Sequence, residues 1–169
     1  MHNDEYGVVH CVRSNTQPDK KGKELKKWRE KKTLDLSDVT GTEHSIPWVA
    51  YPGLFAGGGL DVMTTLLLRR ILPTIDRKAK LKVLDYCSGA GQIAAAVRVK
   101  AKKSRVWLLD ADACALDAAK RNLSDDVQLI LSDGWRALEK SDRAFDMILS
   151  NPPVHLGLAV DFVPIREFL

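Results

Sequence analysis

Two short segments hold the residues from which chemistry is expected. Ser150-Asn151-Pro152-Pro153-Val154-His155 follows the apolar run Phe145-Asp146-Met147-Ile148-Leu149. Asp85-Tyr86-Cys87-Ser88-Gly89-Ala90-Gly91 follows Leu81-Lys82-Val83-Leu84. Each reads as a buried strand ending in a turn. The glycine turn suits a nucleotide-like cofactor, because Gly89 and Gly91 leave room for a ligand to lie against the backbone. The Asn-Pro-Pro turn suits a planar amino group. An amine on a purine ring is a poor nucleophile, since its lone pair is delocalised into the ring. Attack on the methyl of a sulfonium needs that lone pair turned toward the carbon, in line with the departing sulfur. Two acceptors aimed at the two N–H bonds favour this. The Asn151 side-chain oxygen and a backbone carbonyl, assigned to Pro152, supply them. Consecutive prolines fix φ twice and pre-organise the turn. The rate gain then comes from orientation and polar complementarity, not from an ionisable base. Together the turns point to methyl transfer from S-adenosylmethionine (SAM) to an amino group.

Three carboxylates fall at successive strand ends: Asp85, Asp110 and Asp133. Asp110 lies about 20 residues beyond the glycines, the separation expected of an acceptor for ribose hydroxyls. Asp133 is expected to accept from the adenine amino group. The run Gly89-Ala90-Gly91-Gln92-Ile93-Ala94 also fits the dinucleotide fingerprint of a dehydrogenase. Asp85 weighs against that reading: a carboxylate there repels a pyrophosphate but suits the ammonium of a methionine moiety. The Asn-Pro-Pro turn has no role in hydride transfer.

The elements that must position these residues alternate in period. A helix is expected over Leu60–Leu72 with an apolar face of Leu60, Met63, Leu67 and Ile71, stopped by Pro73. Strands are expected at Leu81–Leu84, Arg105–Leu109, Val127–Leu131 and Ala144–Leu149. Helices are expected at Gln92–Ala101, Ala113–Leu123, Trp135–Glu139 and Leu158–Leu169. Short apolar strands alternating with helices imply an α/β fold, a parallel sheet with helices on both faces. Residues 1–47 read as a charged N-terminal extension. Within it Asp19–Lys32 is lysine-rich, read as a solvated helix with one face, Leu25 and Trp28, able to dock on the domain body, or as an electrostatic arm for RNA phosphates. Ser45–Gly59 reads as a loop or hairpin, mobile at its glycines.

The chain of 169 residues suits one domain, and its 45% hydrophobic and 28% charged residues are ordinary for a globular protein. A net charge of +4 and a pI near 9.0 are compatible with nucleic-acid binding. Cys11, Cys87 and Cys114 have no metal-ligand spacing, so no metal and no disulfide framework is expected. There is no apolar leader and no run long enough to span a bilayer. A soluble cytoplasmic protein without a membrane partner is expected.

With these residues in view, the chain resembles the "small" methyltransferase domain over about Trp48 to Leu169, and within it the ribosomal RNA guanine-N2 methyltransferases. The resemblance is carried by Tyr51-Pro52-Gly53-Leu54-Phe55, Gly59-Leu60-Asp61-Val62, the glycine turn, Asp110, and Asn151-Pro152-Pro153-Val154-His155-Leu156-Gly157. It implies a Rossmann-like class I SAM-dependent methyltransferase fold over residues 48–169, and a flipped guanine in RNA as substrate. It implies Asn151 and Pro152 as amino-group acceptors, with Pro153, Val154 and His155 completing the catalytic turn. The segment with Phe55 and Asp61 is expected to cover the cofactor. Cys87 and Ser88 in the glycine turn, and Ala111 after Asp110, complete the expected cofactor contacts.

Three departures accompany the resemblance. Val154 stands where the family usually has an aromatic residue able to stack on the base. The chain ends after the fourth strand of a fold that continues with three more, so it is expected to be C-terminally incomplete, with a bare edge that invites self-association. Bacterial members also carry a second, degenerate domain at the N-terminus. Other readings remain open: adenine-N6 or protein glutamine as acceptor, or a non-catalytic RNA-binding or assembly module that has kept the fold.

Overall fold

The computed structural model describes residues 24–153, 155–156, 159–160 and 166. The sequence expectations for 19–23, Val154 and most of 158–169 lie outside these residues.

The described chain opens with a single helical turn, α1 (Glu24–Lys27), and a hairpin of β1 (Glu30–Asp35) and β2 (Ser45–Ala50) around the short α2 (Ser37–Thr40). The lysine-rich segment is therefore not one helix docked by Leu25 and Trp28; Trp28 is 63% exposed. Leu34 and Leu36 are the reason. They alternate with charged or polar neighbours, and both are buried along with Val39. Pro47 pairs with Thr33 on this two-stranded edge, where a missing N–H is tolerated. A boundary at residue 47 would fall inside β2, and Leu34, Leu36 and Val39 share the core of the following domain. The hairpin is part of that domain.

Asp61 then caps α3 (Val62–Ile71), and Pro73 ends it in a 3-10 turn at Leu72–Thr74. Of the expected face, Leu60, Leu67 and Ile71 pack against the core, with Thr64 and Leu68 buried beside them, while Met63 is 59% exposed. The central sheet follows: β3 (Lys82–Tyr86), α4 (Gln92–Lys100), β4 (Arg105–Asp110), α5 (Ala113–Asn122), β5 (Gln128–Leu131) and β6 (Met147–Ser150). All four strands are parallel, in the order β5-β4-β3-β6. Their side chains alternate between two cores. Val83, Val106, Leu108 and Leu149 pack with α3, α4 and α5. Leu84, Tyr86, Leu109, Trp107 and Ile148 face the other way, under Trp135, Leu138 and Phe145. Two successive right-handed crossovers in one direction put α4 and α5 on one face. The other face is covered by the 3-10 turn at Gly134–Ala137, with Leu138 and Phe145 beside it and Tyr86 and Trp135 ring centroids 4.8 Å apart.

After β6, β7 (His155–Leu156) pairs antiparallel with β8 (Ala159–Val160). Ala159 and Val160, expected in a helix, are therefore in a strand. Among the described residues no helix is long and apolar enough to cross a membrane.

Candidate active site

The chain reverses its direction of strand addition at β3: β4 lies on one side of it and β6 on the other. Ligands of open parallel sheets bind at such a switch point, beyond the carboxyl ends of the strands. The pairing is in register, Tyr86 opposite Ser150, and the Ser150 hydroxyl donates to the Tyr86 carbonyl at 2.6 Å. The glycine turn and the Asn-Pro-Pro turn consequently leave the sheet side by side. Between them and the ends of β4 and β5 is a cavity of about 310 Å³.

Cys87, Ser88, Gly89, Asp110, Ala111, Asp133, Phe55, Asn151 and Pro153 all line this cavity. The Gly89 N–H donates to Asp110 Oδ2 at 2.7 Å, and the Asp112 N–H donates to Asp110 Oδ1 at 2.8 Å. Burial outweighs these bonds and raises the Asp110 pKa above the ordinary carboxylate value. Cys87 takes up φ +59°, unusual for a residue with a side chain, at the start of the turn. Burial, then the charges of Asp110 and Asp85, push its thiol up to about 12. It stays protonated and is no nucleophile at neutral pH. Asp133 is exposed and pairs with Arg136 at 2.6 Å, at the outer rim. Phe55, 65% exposed, stands over the opening. Three successive glycine carbonyls behind it each take a side-chain donor from a different element. Lys32 Nζ bonds Gly57 at 2.9 Å, Trp48 Nε1 bonds Gly58 at 2.7 Å and Gln92 Nε2 bonds Gly59 at 3.0 Å.

Several expected residues lie elsewhere. Asp85 is fully buried behind the turn, outside the cavity lining, with Oδ2 accepting the Ala94 N–H at 3.0 Å. The strand's alternation turns it toward α4 rather than into the cavity. Gly91 is also outside the lining. A Cβ there would come within 2.9 Å of Leu123 and 3.1 Å of Leu108, so its missing side chain makes room for helix packing rather than for a ligand. Pro152 is half-buried and off the cavity, whereas Pro153 is exposed on it. Val154 lies outside the described residues, and His155 is described only as the backbone start of β7.

Asp61 does not line the cavity either. It accepts the N–H groups of Thr64 at 2.9 Å and Met63 at 3.3 Å. The Asn151 side-chain amide donates to Asp61 Oδ1 at 3.1 Å and to Thr64 Oγ1 at 2.9 Å. Thr64 and Gln92 are functional candidates that sequence reasoning missed. Both sit in the first turn of a helix beside a recognised motif, which is the signal that could have found them. No group of three or more His, Cys, Asp or Glu among the described residues could hold a metal ion.

Comparison with known proteins places this arrangement. Ribosomal RNA small subunit methyltransferase C of Haemophilus influenzae (strain PittGG) is 36% identical over 121 residues, which are 70% of this chain and 34% of that protein. The protein of that name from Pseudomonas entomophila (strain L48) is 37% identical over 117 residues, 68% of this chain and 33% of its own. This chain thus spans about a third of the length of the curated relatives it matches. The T. thermophilus 16S rRNA N2 methyltransferase, solved in complex with AdoMet and guanosine, superposes with a TM-score of 0.67 at 22% identity. That likeness covers 83% of this chain and 37% of the other, and it shows the Rossmann-like class I methyltransferase fold. The family model described as methyltransferase small domain matches residues 45–169. Since that match runs from β2 through both turns of the cavity, the chain belongs to the methyltransferase small domain family.

Proposed function

We propose that this chain transfers a methyl group from SAM to an exocyclic amino group, and that the acceptor is guanine N2 in ribosomal RNA. One observation carries the reading: the Asn151 side chain and the glycine turn line a single cavity at the switch point of the sheet.

The residues present fit SAM. A side chain at Gly89 would meet nothing nearer than Gln92 Oε1 at 3.5 Å, so the turn is open to the cavity at that point. Leu109, Ile93 and Ala115 offer an apolar wall for a flat base. Asp110 spends one lone pair of each oxygen on backbone N–H groups and keeps others for hydroxyl donors. Ser88 Oγ, buried beside the turn, has no partner among the described residues, a sign that a polar group completes it. When bound, the cofactor supplies an electrophilic methyl group. The chain's own residues do the rest by orientation. Asn151 Oδ1 and a carbonyl of the prolyl turn accept from the two N–H bonds of the acceptor amine and turn its lone pair inward. With Cys87 protonated and Asp85 sealed behind the turn, neither serves as a base or nucleophile.

Ribosomal RNA as partner is supported by the curated relatives, which are ribosomal RNA methyltransferases. By resemblance to the ribosomal RNA guanine-N2 methyltransferases, His155 and Gly157 after Asn-Pro-Pro favour guanine over adenine or protein glutamine. The test is transfer of labelled methyl from SAM to unmodified ribosomal RNA, followed by nucleoside analysis. N2-methylguanosine is the expected product, and Asn151→Ala should lower turnover by about a hundredfold while calorimetric SAM affinity is retained. Label in adenine or in protein would select one of the other acceptors. SAM binding without any transfer would favour the non-catalytic RNA-binding module.

A further inference from the structure

We infer that Asp61 and Thr64 are positioning residues that lock the Asn151 amide with its nitrogen toward α3 and its oxygen toward the cavity. Asn151 can then only accept hydrogen bonds from what binds there. The inference rests on the methyl-transfer reading above. An asparagine side chain presents a donor NH₂ and an acceptor oxygen on atoms of nearly equal size. Left free to rotate, it would meet an amine or a carbonyl equally well. Here Nδ2 faces a carboxylate oxygen and a hydroxyl oxygen at 3.1 and 2.9 Å. Rotating the amide would press Oδ1 against the Asp61 carboxylate with no proton between them. Among the described residues Oδ1 itself has no donor, and Asn151 lines the cavity.

The lock is itself held in place. Asp61 is the N-cap of α3, so its carboxylate is fixed by two backbone N–H groups. Burial works against its ionised form, but hydrogen bonds from Thr64, Asn151 and Met63 prevail and keep its pKa below the ordinary value. At neutral pH it is an acceptor only. Thr64 is 7% exposed and can move little. The consequence is selectivity. A group with two N–H bonds satisfies Oδ1, whereas a base carbonyl at that point would meet its lone pairs. An amino edge is taken and a keto edge is refused.

The test uses the full chain and has two readouts. In ¹⁵N–¹H spectra the Asn151 side-chain amide is identified by its loss in Asn151→Asp. Its hydrogen exchange should be slowed at least roughly tenfold relative to exposed asparagines, as for a bonded group. Thr64→Val and Asp61→Gly should each weaken that protection and together abolish it, and Thr64→Ser should keep it. Glycine is tolerated at an N-cap at little cost, so Asp61→Gly retains α3 while removing the acceptor oxygen. In methyl transfer, the Thr64→Val and Asp61→Gly pair should lower kcat by about a hundredfold with SAM affinity unchanged, and Thr64→Ser should recover most of what Thr64→Val loses. Unprotected Asn151 amide protons in the wild type, or wild-type kcat in the Thr64→Val and Asp61→Gly pair when Asn151→Ala is inactive, would overturn the positioning role alone. Wild-type turnover in Asn151→Ala would instead overturn the methyl-transfer reading on which it rests.

Discussion

Asp85, one residue before the end of β3, has its carboxyl group enclosed: Oδ2 holds the Ala94 N–H, and Oδ1 has no partner among the described residues. Burial, with Asp110 nearby adding to it and the Ala94 bond opposing, pushes its pKa well above the ordinary carboxylate value. An acid whose pKa rises on folding binds more protons folded than unfolded across the interval between the two values. Its contribution to stability therefore falls as pH climbs from the unfolded pKa through the folded one, and the penalty is complete above that. Asp85→Asn keeps the size and the oxygen that Ala94 needs but cannot ionise. The variant is expected to gain in Tm relative to the wild type as pH rises from about 4, near the unfolded carboxylate pKa, toward 8. A variant that instead loses ground with rising pH would mean that the buried carboxylate is stabilised as an anion. That Asp85 belongs to the site's architecture was legible from its place before the glycines. That it faces inward was not, because the motif is the same whichever side of the strand it occupies.

Elements are joined here by a few short-range fits. Asn122, at the end of α5, holds β2 like a neighbouring strand: Oδ1 accepts the Val49 N–H at 2.7 Å and Nδ2 donates to the Val49 carbonyl at 3.0 Å. The same Nδ2 reaches the Ala90 carbonyl of the glycine turn at 3.1 Å. Tyr51 hydrogen-bonds Asp117 of α5, and Arg29 of the hairpin donates to the Tyr51 hydroxyl at 3.0 Å. Gly91 is the junction between β3 and α4, with φ +92° and two leucine side chains where a Cβ would stand. Gly91→Ala combines left-handed backbone strain with overpacking, and a loss of about 1–3 kcal/mol in denaturant unfolding is expected. Because Gly91 does not line the cavity, SAM affinity measured on the folded variant should change little. Undiminished stability would show that the turn relaxes around the new methyl group. The helices α4 and α5 and strands β3 and β4 were legible within a residue or two, since their apolar periods are local. The β1–β2 hairpin was not, because its Leu34 and Leu36 signal is two residues deep inside a charged segment.

At the scale of the whole molecule, the parallel sheet ends at β6 among the described residues, with Phe145 and Ile148 only partly buried on the face that carries Trp135. The sequence by itself determined the alternation of strands and helices, the two turns and the polar side chain of Asn151 on one of them. Each of these follows from residues within a few positions of one another, where side-chain period, proline φ and glycine permissiveness act directly. Only the tertiary structure decided which strands are neighbours, and hence that the glycine turn and the Asn-Pro-Pro turn share one cavity. It alone separated Gly89, which faces the ligand space, from Gly91, which faces two leucines. It alone brought Asp61 to Asn151 across 90 residues. Those contacts depend on the order in which strands join the sheet, a choice made by the burial of both faces at once and by no local stretch of chain.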